Sequence, residues 1–137
     1  MAGLVVDRAA RTISGVATPY DRSAVSGSRA FRFLPGWARY SGRVRLLLDH
    51  DPAQRLGRAL QITDTPGGLA VVLLVDRGRR GDRALDRVAT GGLGLSPHAR
   101  LDRTRLARDP DDPHVLLVAA ADLVELSLTA RPAFEMR

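Results

Sequence analysis

"RLGRALQITDTPGGLAVVLLVD", residues 55–76, contains two apolar-rich runs, RLGRALQITD and GLAVVLLVD, joined by TPGG. Proline presets the backbone at the first corner of a turn, and glycine adopts conformations that side chains forbid. The composition therefore predicts a tight hairpin between two strands. The second run is rich in Val and Leu and far shorter than the ~20 residues a membrane span requires. It reads as a buried strand of a soluble protein.

Working outward, RVRLLLDH (43–50) alternates. Its pattern puts Val44, Leu46, Leu48 and His50 on one face and Arg43, Arg45, Leu47 and Asp49 on the other, so His50 should end a strand on its apolar side. On the other flank, Ala84, Leu85, Val88 and Ala89 form an apolar stripe with helical spacing. They predict a helix over 79–90 with Gly91 just past its end. HARLDRTRL and HVLLVAAAD follow as strands around the Pro/Asp-rich loop ARDPDDP. LVELSLTA (123–130) alternates cleanly, with Val124, Leu126, Leu128 and Ala130 opposite Leu123, Glu125, Ser127 and Thr129.

The first third predicts short extended pieces, TISGVATPY and RAFRFL, separated by the loop DRSAVSGS. PGWARYSG has room for one helical turn, with Trp37 and Tyr40 packing at i,i+3. About seven strands and one clear helix imply an α+β chain, a mainly antiparallel β-barrel with peripheral helices. No linker or repeat divides residues 1–137, so a single domain is expected.

Of 137 residues, 45% are hydrophobic and only 4% aromatic, which predicts a globular core of Leu, Val and Ala. The absence of cysteine excludes disulfides, thiolate metal ligands and cysteine nucleophiles. The start, MAGLVVDRAAR, meets an acid too early for a signal-peptide core, so an intracellular protein is expected. All 21 basic residues are arginine and the net charge is +6. The arginines are dispersed among aspartates, as in DRGRRGDRALDR (76–87), which fits a solvated surface better than a nucleic-acid footprint.

A hydrolase of this composition would use serine activated by histidine. GGLGLSP (91–97) leaves Ser96 open to two readings: a turn residue after a glycine run, or a nucleophile exposed by it. Of the three histidines, His114 lies in the Pro/Asp loop and should face solvent. His98 would share a strand face with Ser96 but diverge from it. His50 is remote in sequence and free to approach. From local chemistry alone the plainer readings are structural: His50 as a hydrogen-bonded edge residue between Asp49 and Asp51, Ser96 as a turn residue, and Glu125 as a solvated strand position.

The ordered words tip that balance. His50-Asp51 after a hydrophobic strand, Leu56-Gly57-Arg58, Gly68-Leu69, a helix, Gly94-Leu95-Ser96, and Glu125-Leu126-Ser127-Leu128 followed by Pro132-Ala133 stand in sequence over residues 12–134. Together they resemble the caudovirus prohead proteases, serine peptidases of tailed-phage capsid maturation. The resemblance implies a herpesvirus-protease-like barrel, His50 as general base, Ser96 as nucleophile and Glu125 as third member, with Asp49 and Asp51 as other candidate orienters. The Ser96 amide or an arginine-bearing loop would then supply the oxyanion donors. Pro97, which has no N–H, and His98 depart from the small pair that follows the serine in relatives.

The resemblance further implies no cofactor and no metal. The major capsid protein and the scaffold are the implied partners, with the portal and a second copy of the chain as further candidates. The implied setting is the procapsid in the bacterial cytoplasm; the short apolar runs argue against a membrane, and the dispersed arginines against nucleic acid. The rival expectation is a catalytically inactive capsid-assembly protein on the same fold.

Overall fold

The computed structural model describes residues 3–134. Its strands in chain order are β1 (Val5–Asp7), β2 (Thr12–Pro19), β3 (Ala24–Ser26), β4 (Arg29–Phe33), β5 (Ala38–Arg39), β6 (Arg45–Leu48), β7 (Asp51–Thr65), β8 (Gly68–Val75), β9 (Gly94–Leu101), β10 (Leu106–Arg108), β11 (Val115–Val118) and β12 (Ala121–Thr129). Among the described residues there is one α-helix, α1 (Arg79–Ala89), and one 3₁₀ turn, Arg103–Arg105. The chain is mostly β, with one short helix where peripheral helices were expected.

The larger sheet runs β1-β2-β8-β7-β6-β12-β5, and β9 pairs with β12 as well. It curls, so that β9 also comes close to β2. The smaller sheet runs β10-β11-β4-β3. The β7–β8 hairpin closes through Pro66-Gly67, with Thr65 Oγ1 donating to the Gly68 carbonyl at 2.7 Å. Antiparallel pairing predominates, but β12 is parallel to β6 and β5, and β11 is parallel to β4. Both sheets and α1 contribute to one apolar core, built around Ile13, Trp37, Leu46, Leu73, Val118, Leu126 and Leu128.

The helix is amphipathic as its spacing requires: Gly81, Ala84, Leu85 and Val88 are buried. Its end has the Schellman pattern, with Gly91 N–H donating to Val88 O, Gly92 N–H to Arg87 O, and Gly91 at φ 82°. Arg8 and Arg11 pair with the helix acids Asp86 and Asp82 and so link α1 to the start of the chain.

HARLDRTRL is not one strand but β9, the 3₁₀ turn and the start of β10, and HVLLVAAAD divides between β11 and the start of β12. Three further local expectations fail. PGWARYSG forms no helical turn: Trp37 is fully buried against Phe33, ring centroids 4.4 Å apart, whereas Tyr40 is exposed beyond the short strand β5. The loop read into DRSAVSGS contains β3, which is held by β4 rather than by its own propensity. Position 50 does not end a strand. β6 stops at Leu48, and Asp49 and His50 both take left-handed backbone, φ 52° and 57°, in the turn to β7.

Candidate active site

Three neighbouring strands place the polar groups. β12 lies between β6 and β9, with Glu125 opposite Arg45 on one side and His98 on the other, and Ser127 opposite Leu47 and Ser96. Residues paired across strands share a face, so Arg45, Leu47, Ser96, His98, Glu125 and Ser127 lie on one side of the sheet. The opposite side carries Leu46 and Leu126, both fully buried.

The two left-handed residues after Leu48 break the alternation that would have put His50 with Val44, Leu46 and Leu48. They turn its ring to the Arg45–Leu47 side instead, where it meets His98 edge to face, centroids 6.2 Å apart and planes at 84°. The turn is tied to β12 at two points. His50 N–H donates to Ser127 Oγ at 2.7 Å, and Asp49 N–H donates to Leu128 O at 2.9 Å.

Ser96 is not a turn residue. It is the third residue of β9, 3% exposed, and its Oγ accepts the Ala133 N–H at 3.3 Å. His50, Ser96 and His98 line one cavity of about 460 Å³, whose walls include Val25, Phe31, Phe33 and Phe134 and whose rim includes Arg131. The remote histidine and the serine are thus brought to the same cavity.

Glu125 is buried, 5% exposed, and not solvated. The β-bulge between Leu123 and Glu125 breaks the expected alternation and helps to set this position. One carboxylate oxygen accepts from Arg45 Nη2 at 2.9 Å; the other faces His98 Nδ1 at 3.4 Å. Glu125 thus stands behind His98, and its charge reaches His50 through space. Asp51 is engaged elsewhere: its carboxylate accepts from Ala53 N–H and Gln54 Nε2, and these bonds lower its pKa. His114 is exposed in the loop after Asp109, as expected.

The His50 pKa is lowered from its ordinary value, chiefly by partial desolvation of the ring, which is otherwise exposed, and then by repulsion from His98; Glu125 and Asp49 oppose the shift. The imidazole is therefore held in its neutral, proton-accepting form near neutral pH. Among the described residues no group of three or more His, Asp or Glu is placed to hold a metal ion, and no helix is long and apolar enough to cross a membrane.

The sequence singled out His50, Ser96 and Glu125 as candidates; the structure brings His50 and Ser96 to one cavity and sets Glu125 beside His98, and it adds Arg45 and Ser127, which the sequence did not single out, and His98, which it set aside. His98 carried a usable signal, its i+2 spacing from Ser96. Arg45 and Ser127 acquire their roles only through the pairing of β6, β12 and β9. No protein-family model and no curated protein matches the chain.

Proposed function

We propose that this chain is a serine endopeptidase that cleaves scaffold, or the scaffold-like arm of the major capsid protein, inside the assembling procapsid of a tailed phage or prophage. The observation that carries the chemistry is the shared cavity: Ser96 and His50, 46 residues apart in sequence, line it together with His98. The phage setting and the finer fold relationship, a herpesvirus-protease-like barrel, rest on the ordered sequence words. The curled, β-rich architecture, with one short helix among the described residues, is compatible with them.

In this reading the Ser96 hydroxyl attacks a peptide carbonyl while His50 accepts its proton. His50 then returns the proton to the departing amine, and water releases the acyl group by the same route in reverse. Lowering of the His50 pKa supplies the neutral base, and the Glu125 charge favours the imidazolium that forms. In this reading the Ala133 N–H, which donates to Ser96 Oγ at 3.3 Å, is a candidate donor for the oxyanion that forms beside that oxygen. The apolar cavity wall suits an extended segment that offers an apolar side chain next to the scissile bond.

One observation favours the alternative, an inactive assembly protein on the same fold. Ser96 is almost wholly covered, and its Oγ is engaged by the segment after β12. An alkyl fluorophosphonate separates the two readings. The serine oxygen bonds to phosphorus, fluoride leaves, and the proton passes to His50. A peptidase gives a single adduct on Ser96, none in Ser96→Ala, and labelling slowed by roughly 100-fold in His50→Ala. Wild-type labelling no faster than that of Ser96→Ala rejects the enzyme. Coexpression with a capsid precursor then tests the substrate through precursor trimming that Ser96→Ala abolishes.

A further inference from the structure

Arg45 is the outermost member of a line of polar groups that crosses three strands in register: Arg45 on β6, Glu125 on β12, His98 on β9. Its side chain is 46% exposed, whereas that of Glu125 is 7% exposed. An ion pair between two solvated side chains contributes little, but here one partner is a carboxylate withdrawn from water, and removing its cation leaves it with a single long contact. The bond at 2.9 Å to one oxygen also restrains the carboxylate, and with it the direction of the second oxygen.

That second oxygen faces His98 Nδ1. An ionised carboxylate only accepts, so it selects the neutral His98 tautomer that carries its proton on Nδ1 and leaves Nε2 bare. The 3.4 Å separation is long for a hydrogen bond, so this selection depends on the carboxylate staying where Arg45 holds it. His98 in turn packs its ring against that of His50.

We propose that Arg45 is a positioning residue for the Ser96 site: by holding the Glu125 carboxylate it sets the tautomer and ring orientation of His98 against His50. The proposal rests on the peptidase reading for its consequence in catalysis, but the positioning itself is read without any reaction. Arg45 touches neither His50 nor Ser96 and acts only through the two groups between.

Ring-nitrogen NMR spectra of the intact protein at about pH 8.5, above the ordinary histidine range, report the tautomer of each neutral imidazole. The expected result is Nδ1–H at His98 in the wild type, loss of that preference in Arg45→Met, and its retention in Arg45→Lys. Fluorophosphonate labelling of Ser96 should fall about tenfold in Arg45→Met, less than on removal of the base itself, and stay within about twofold of wild type in Arg45→Lys. A merely structural ion pair would leave the His98 tautomer unchanged in a folded Arg45→Met protein, and that result overturns the proposal. If Arg45→Met does not fold, Glu125→Leu is read in its place: it takes the acceptor away from Nδ1, so an unchanged Nδ1–H preference there is equally fatal. If the wild type fails to label while Arg45→Met still loses the tautomer, the peptidase reading falls and the positioning role stands.

Discussion

The Ser127 hydroxyl joins the His50 turn to the middle of the sheet, accepting the His50 N–H at 2.7 Å and lying 3.2 Å from the Leu47 carbonyl, to which it donates. Ser127 is fully buried and sits opposite Ser96 in the β9–β12 ladder. The strand partner of the candidate nucleophile is therefore the anchor of the candidate base, and one register relationship positions both.

Ser127→Ala should consequently affect stability and site together. It removes the buried hydroxyl bond to the Leu47 carbonyl and deprives the His50 N–H of its acceptor, which costs about 1–3 kcal/mol. Denaturant titration should show a lower midpoint with an unchanged slope. Fluorophosphonate labelling of Ser96 should fall in the same variant even under conditions where it is fully folded. Labelling equal to wild type in the folded variant would show that the turn needs no anchor.

Asp49 has left-handed backbone, φ 52°, which a Cβ-bearing residue adopts at a cost. Asp49→Gly should remove that strain and offset the extra freedom glycine gives the unfolded chain, leaving stability within about 1 kcal/mol of wild type. Asp49→Val places a β-branched residue in the same conformation and should destabilise by about 1–2 kcal/mol or more. Thermal melts of the pair check the order: valine below glycine is expected, and the reverse order would remove the backbone argument.

The direction of the His50 shift fixes the pH behaviour. Its pKa lies below the ordinary 6.5 when folded, so the imidazole stays neutral into mildly acidic solution. The labelling rate should hold below pH 6.5 and fall only as pH drops through the lowered value. The unfolded chain takes up its proton near 6.5 and the folded chain later, so this group's contribution to stability is whole above 6.5 and is lost as pH falls through the folded value. His98→Gln removes a repelling neighbour and should move the acid limb up toward 6.5, whereas Asp49→Asn removes an attracting one and should move it down. Acid limbs that coincide in all three proteins would show that another group governs the rate.

Local pattern made part of this legible and non-local pairing hid the rest. The 55–76 hairpin and the helix with its Gly91 terminus are written in short-range periodicity and form where it puts them; the late strand forms too, but as Ala121–Thr129 and with a bulge that its alternation did not signal. The parallel pairings of β12 with β6 and of β11 with β4 join segments far apart in sequence and leave no local mark. Two departures from alternation mattered most at the site. The left-handed pair Asp49-His50 moved His50 to the other face, and the bulge before Glu125 accompanies its burial. Ser96 was legible as a residue but not as a strand residue, because its conformation comes from the β12 ladder and not from the glycines before it.

Gly57 shows what one of the sequence words requires. A Cβ built there lies 1.9 Å from the Leu74 carbonyl oxygen and 3.2 Å from the Val75 Cα, both rigid backbone of the adjacent strand β8. Gly57 also pairs with Leu46 on β6, so neither flank of β7 can withdraw without breaking a ladder. Gly57→Ala should therefore destabilise by about 3 kcal/mol or more, at the upper end of overpacking effects. For a domain of this size that lowers the melting temperature by about 10 °C. Gly67, in the hairpin loop with open space around it, provides the control, and Gly67→Ala should melt close to wild type. Equal melting temperatures for the two variants would mean that β7 and β8 are not in the close contact described.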